Sequence, residues 1–245
     1  MACAIGLRDR LVGRSSYCDY PPDVKNLPEV GGLLDPSIER IIRLQPDLLL
    51  VSKAGRDLRG QLDAAGLEYL VLPNESLDDV FASITLLGKV CGGETAAAEL
   101  TGRMRGRIAE VQRRATGRTP LRVMVAITAS RLPMSPPWVA GPKSYLAKLV
   151  ELAGHHPVPD DMGAEYGEIS IEYVLRTNPD AIVEIRGLAG EPKDVSADAR
   201  SAWGTLGELN AVRSGRVFVL QGAQHVIPGP RCVDTLEELA RLLGR

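Results

Sequence analysis

Two stretches of this chain repeat each other at a fixed distance. Ser37-Ile38-Glu39 runs through Ile41-Ile42 to Pro46-Asp47 and the apolar segment Leu48-Leu49-Leu50-Val51. Ser170-Ile171-Glu172 runs through Val174-Leu175 to Pro179-Asp180 and then Ala181-Ile182-Val183. The serines stand 133 residues apart (170 − 37), and so do the prolines (179 − 46). The unit therefore starts and stops in register. Each copy reads as one helix feeding one strand: Ser suits the N-cap, and the aliphatic residues recur at helical spacing. Proline closes the helix, because it lacks an amide hydrogen and crowds the preceding turn. The short aliphatic run behind Pro-Asp suits a strand buried on both faces, as in a parallel sheet. One unit in each half predicts two α/β lobes.

The rest of the chain fits that plan. Ala2 to Leu7 reads as the end of a helix stopped at Gly6, Leu11-Val12-Gly13 as a short strand, and Tyr17 to Pro22 as a loop. A helix through Arg59 and Leu62 stops at Gly66 and leads to a strand at 69–72; acids at Asp78 and Asp79 open another that runs to Cys91. Ala97, Leu100, Met104, Ile108 and Val111 share one face of a helix over 94–115, about 33 Å long, which reads as a strut between the lobes. The second half predicts a strand at 123–127, a loop at 133–142 holding Trp138, a helix from Ser144 to Leu152, and irregular chain over 155–167. After the second copy come a loop at 186–196, a helix near Ala199 with Trp203 close by, a strand at 217–220, a loop at 221–230 and a last helix over 231–243. The expected domains are 1–92, a connecting helix at 93–117, and 118–245.

Composition excludes several classes. A net charge of −2 with no basic block gives no nucleic-acid footprint. No apolar run approaches the ~20 residues that cross a bilayer. Met1 to Gly6, followed by Arg8 and Arg10, is too short for the apolar core of a secretory leader. Four cysteines without CxxC spacing form no disulfide framework, and three histidines, two of them adjacent, argue against a metal cluster. Gly141-Pro142-Lys143-Ser144 has proline where a phosphate-binding loop needs glycine, and no GxGxxG, HExxH or GxSxG occurs. No catalytic residues, metal site or cofactor are expected.

Taken in order, the pieces resemble the vitamin B12-binding and iron-siderophore-binding proteins of ABC importers, two lobes joined by one backbone helix. The residues that carry the likeness are 11–22, both copies of the repeat, Pro137 to Gly141, Leu149 to Gly154, and Gly229-Pro230-Arg231. The resemblance implies two Rossmann-like lobes with mostly parallel sheets and a ligand cleft between them. It implies cobalamin or another corrinoid as ligand, an ABC importer permease as partner, and an extracytoplasmic location. A haem or ferric-siderophore carrier of the same type is the nearest alternative, and a cytosolic sensor or enzyme on a similar scaffold is another. Ala4-Ile5-Gly6-Leu7 matches only the end of the family's first helix. The first N-terminal strand is thus expected to be missing, consistent with a truncated or cytoplasmic form. The cysteine pair that some B12-binding members carry near 151–154 and the terminal helix is absent.

The same likeness assigns candidate residues. Tyr17 matches the tyrosine that packs on corrinoid; Tyr20 and Trp138 fall in equivalent loops, with Gln224 and His225 in the last one. Tyr166 and Trp203 join them as aromatic residues in or near loops in a chain with only 4% aromatic content. For each ring the competing role is a cap over the core. His225 is also a candidate axial ligand to cobalt or iron, since neutral imidazole suits both. Glu39 and Glu172 match the two glutamates that meet permease arginines in the family. Acids also favour helix N-termini for electrostatic reasons alone.

Overall fold

The computed structural model describes residues 1–32, 35–53, 56–128, 135–186 and 196–244. They divide into two compact units, Met1–Asn74 with Asp78–Gly102, and Glu75–Leu77 with Arg103–Arg245. The class is mixed α/β.

In the first unit, a 3-10 turn over Ala2–Ile5 is closed by Gly6 in left-handed backbone (φ 80°), at the stop expected from the sequence. No strand forms over 11–13. Arg14 alone bridges to Glu29, its amide donating to the Pro28 carbonyl, because a segment framed by Arg10 and Arg14 has no apolar alternation to bury. Then come α1 (Ile38–Leu44), β1 (Leu49–Ser52), α2 (Arg56–Ala64), β2 (Tyr69–Leu72) and α3 (Leu77–Cys91). β1 and β2 pair in parallel. On α3, Val80, Ile84 and Leu87 face inward at helical spacing and are buried. Gly88 lets α3 lie close to α4 (Glu94–Ala115): a Cβ there would fall 2.6 Å from that of Ala97. α4 has the bounds its apolar stripe predicts, and the division between the units falls inside it.

The second unit holds a larger sheet. Its elements are β3 (Arg122–Thr128), β4 (Trp138–Ala140), α5 (Tyr145–Leu152), β5 (His156–Val158), β6 (Tyr166–Glu168), α6 (Ile171–Thr177), β7 (Ala181–Arg186), α7 (Ser196–Gly204), α8 (Asn210–Arg213), β8 (Val217–Gln221) and α9 (Cys232–Leu243). The strand order is β6-β4-β3-β7-β8, with β5 beside the first half of β3. β3, β7 and β8 run parallel, while β4 and β6 are antiparallel additions. Every residue of β7 is buried, as expected of a strand covered on both faces. The expected loop around Trp138 and the expected irregular run 155–167 thus contain three strands. Each is three residues long, shorter than the alternation that reveals a strand in sequence. Residues 129–134 and 187–195, parts of expected loops, and Ala54-Gly55 lie outside the described residues.

Both repeats fold as their sequences dictate. Ser37 Oγ accepts the Arg40 amide at 3.3 Å and Ser170 Oγ the Tyr173 amide at 3.1 Å. Ile41 and Val174, again 133 apart (174 − 41), are the inward residues of α1 and α6. The helices end on Gln45 and Asn178, both in left-handed backbone (φ 46° and 44°), one residue before the proline. Proline disfavours the right-handed helical region for the residue before it, so it stops the helix one position earlier than its own ring would.

His155 follows Gly154, whose φ of 87° turns the chain from α5 toward β5. Its ring is buried, with Nδ1 accepting the Leu121 amide at 3.1 Å. Burial, then Arg118, then His156 push its pKa below the usual value of 6.5. The unfolded chain takes up this proton near 6.5 and the folded chain only lower. The stabilising contribution is therefore complete above 6.5 and is lost as pH falls through that window. Thermal midpoints measured at pH 7.5 and 5.5 should drop further in the wild type than in His155→Gln; equal drops would remove His155 as a source of acid lability.

Candidate functional site

In a parallel α/β sheet, ligands are met at the carboxyl ends of the strands. In the second unit that edge is formed by Thr128 at the end of β3, Arg186 at the end of β7 and Gln221 at the end of β8. Trp138, at the start of antiparallel β4, pairs with Thr128 and so joins the same edge. Arg186 pairs with Gln221. Trp138 is 42% exposed, a large apolar side chain left open at that edge.

Tyr166 lies on the same face of the β4–β6 ribbon, opposite Ala140, while Glu168 pairs with Trp138. Tyr166 is half-buried; burial and then Glu165 push its pKa well up. It is a polar wall rather than an open ring.

Gln224 and His225 occupy a 3-10 turn after β8, at Ala223–His225. That turn is fastened from three sides. Tyr145, fully buried at the start of α5, donates its hydroxyl hydrogen to the His225 carbonyl. His225 Nδ1 lies 2.9 Å from Thr235 Oγ1 on α9, and its Nε2 lies 3.2 Å from Gln224 Nε2. Gly222 adopts φ 129°, and a Cβ there would sit 2.2 Å from Gln224 Oε1. His225 is buried, and burial pushes its pKa down. Both ring nitrogens face protein atoms, an arrangement that anchors the turn and does not favour axial metal ligation. Gln224 is the half-exposed member of the pair.

Trp203 is a correction. It lies inside α7 with none of its surface exposed, packed in the core with Met124, Val139 and Ile182. Its Nε1 donates to Glu184 Oε2 at 2.7 Å. Glu184, also wholly buried, accepts from Arg186 Nε on its other oxygen. Arg186 is buried too, and among the described residues its Nη2 has no hydrogen-bond partner. Arg186 and Tyr145 are the residues sequence reading passed over. The signal for Arg186 was available: Glu184 and Arg186 are charges inside an otherwise apolar strand, where a buried ion pair needs hydrogen bonds to offset its desolvation.

In the first unit, Tyr17 is 71% exposed and Tyr20 is also exposed. The loop beneath them is rigidly held. Arg14 Nη1 donates to the Ser15 carbonyl at 3.1 Å, its Nη2 lies 3.1 Å from Glu29, and Ser16 Oγ donates to Glu29 at 2.9 Å. Gly32 lies under the Tyr17 ring, since a Cβ there would be 3.3 Å from Tyr17 Cε2. Glu39 and Glu172 are exposed on α1 and α6. The Glu172 backbone amide, and then Ser170, hold its carboxyl below the usual range. Among the described residues no three His, Cys, Asp or Glu side chains gather as a metal-binding group.

Comparison with known proteins agrees with this geometry. A family model described as "Periplasmic binding protein" matches residues 1–223. The chain is 29% identical over 244 residues to the uncharacterized ABC transporter substrate-binding lipoprotein YvrC of Bacillus subtilis (strain 168), covering 97% of this chain and 74% of that one. It is 28% identical over 210 residues to the vitamin B12-binding protein of Pectobacterium atrosepticum, covering 83% and 72%. Among solved structures, the periplasmic vitamin B12 binding protein BtuF of Vibrio cholerae superposes with a TM-score of 0.81 at 25% identity, over 99% of this chain and 91% of that one.

The buried Tyr145 hydroxyl is the clasp of the last loop. Tyr145→Phe keeps the ring and leaves the His225 carbonyl unpaired, which costs about 1–3 kcal/mol. Urea unfolding should register that loss, and unchanged stability would show that the turn is held without it.

Proposed function

The chain belongs to the periplasmic binding protein family, and from that premise we propose that it carries cobalamin or a closely related corrinoid to a membrane permease. It is a substrate-binding protein of the ABC importers that serve vitamin B12, haem and siderophore ligands, a family of transport components rather than enzymes. A relative named as a lipoprotein and a structural neighbour named as periplasmic support an extracytoplasmic location.

The observation that carries the corrinoid reading is the display of open aromatic faces on backbone that is held still. Tyr17 stands on the Gly32 backbone, and Trp138 is fixed by pairing on both sides of β4. Flat, rigid, partly apolar side chains suit a flat macrocycle, because few rotamers are lost on binding. Half-exposed Gln224, at the second unit's strand ends, adds an amide that suits the amide carbonyls around a corrin rim. Docking on the permease is assigned to Glu39 and Glu172. Exposed ion pairs contribute ~0.2–1 kcal/mol, whereas charge pairs desolvated at an interface couple by ~1.5–7 kcal/mol.

Calorimetric titration of the purified chain with cyanocobalamin tests the ligand. One-to-one binding is expected, with Tyr17→Ala and Trp138→Ala each weakening it about tenfold. Heat from haemin or a ferric hydroxamate with none from cobalamin would overturn the corrinoid assignment. Glu39→Ala combined with Glu172→Ala should weaken permease binding and leave cobalamin affinity unchanged; equal loss of both would refute that separation of roles.

A further inference from the structure

The glutamates are not the only side chains that recur, exposed, on the two repeated helices. Three residues on, Ile42 is 48% exposed and Leu175 is 42% exposed, again 133 apart (175 − 42). One step further, Arg43 and Arg176 are exposed as well. Residues three and four apart share a helix face, so α1 and α6 each present an acid, an aliphatic and a guanidinium together. The packing of each helix is carried by Ile41 and Val174, so neither core requires an aliphatic residue on the outward face. One exposed aliphatic side chain is ordinary. The same exposure at the same helical position in two separate units calls for a cause that acts on both.

The charges point to that cause. Among the described residues neither Glu39 nor Glu172 forms an ion pair. Arg176 instead lies over the ring of Tyr173, 4.7 Å from its centroid. Each patch therefore offers an unpaired carboxylate beside an open aliphatic, the complement of an apolar hollow with a cation on its rim. We propose that Ile42 and Leu175 are the apolar anchors of the docking surface, each seated in such a socket on the membrane permease. The proposal rests on the importer reading and extends it from two charges to two composite patches. Because the patches share one chemistry, the partner presents the same socket twice, as a two-fold symmetric pair of subunits does. In such an interface the buried apolar side chain governs how long the complex lasts, and the rim charge governs encounter and salt dependence.

The test uses the full chain and the host's permease–ATPase complex held in lipid nanodiscs, with binding followed by surface plasmon resonance over a range of salt. Ile42→Ser with Leu175→Ser should bind about tenfold more weakly, mainly through faster dissociation, with the salt slope retained. Glu39→Gln with Glu172→Gln should flatten the salt slope. Thermal midpoints of both double variants should match the wild type, since all four positions are exposed. If the glutamine variant weakens binding and the serine variant does not, the anchors are refuted while the importer reading stands. If neither changes binding, docking through α1 and α6 is refuted, and if the wild type does not bind the permease at all the importer reading fails with it. Self-association of the wild type that the serine variant abolishes, with permease binding untouched, would assign the patches to a second copy of this chain and overturn the proposal.

Discussion

The turn Asn178-Pro179-Asp180 fixes the second unit. Asn178, in left-handed backbone, ends α6 and accepts the Asn210 amide on its side-chain oxygen at 2.8 Å. The Pro179 carbonyl accepts the Ala211 amide at 3.0 Å, which seats α8. Asp180 exchanges with the start of β3: its amide donates to the Arg122 carbonyl at 2.8 Å, and its carboxylate accepts the Arg122 amide at 3.0 Å. Arg122 in turn donates to the Thr177 carbonyl, the last residue of α6. One three-residue turn thus sets the register of β7 against β3. A slip of one residue would reverse every side chain of β7, moving Glu184 and Arg186 off the face where Trp203 meets them. The opposite end of the strand, where the candidate ligand contacts gather, inherits its geometry from this turn.

The features that sequence reading recovered are those with local causes. Serine caps, glycine stops and proline breaks act within a few residues, so α4 and β2 have the bounds expected of them and Ser37 and Ser170 cap as expected. The second-unit strands of three residues were hidden because pairing partners, not their own pattern, hold them. Aromatic side chains were also ambiguous. Trp138 and Trp203 look alike in sequence, yet one sits at an open strand start and the other hydrogen-bonds a buried glutamate. The anchoring of His225 was hidden for the same reason: its partner Thr235 comes from α9, which a single-chain pattern does not connect to it. The outward direction of Ile42 and Leu175 needed the sheet side of each helix to be known.

The proposed ligand contacts and the proposed docking residues fall on different elements. Open rings lie at loops and strand ends whose backbone is held by hydrogen bonds and strand pairing. The repeated helices carry the acid, aliphatic and guanidinium set, and their caps are the best-matched features of the two halves. The outward faces of α1 and α6 match at the same offset as their inward ones. Packing accounts for the inward faces, and the docking we propose would account for the outward ones.

Hydrogen–deuterium exchange of the full chain, alone and bound to the importer in nanodiscs, addresses that account most directly. Amides of 38–44 and of 171–177 should slow together on binding, to similar degrees. Slowing confined to one helix, or to neither, would contradict a surface used twice by a single partner.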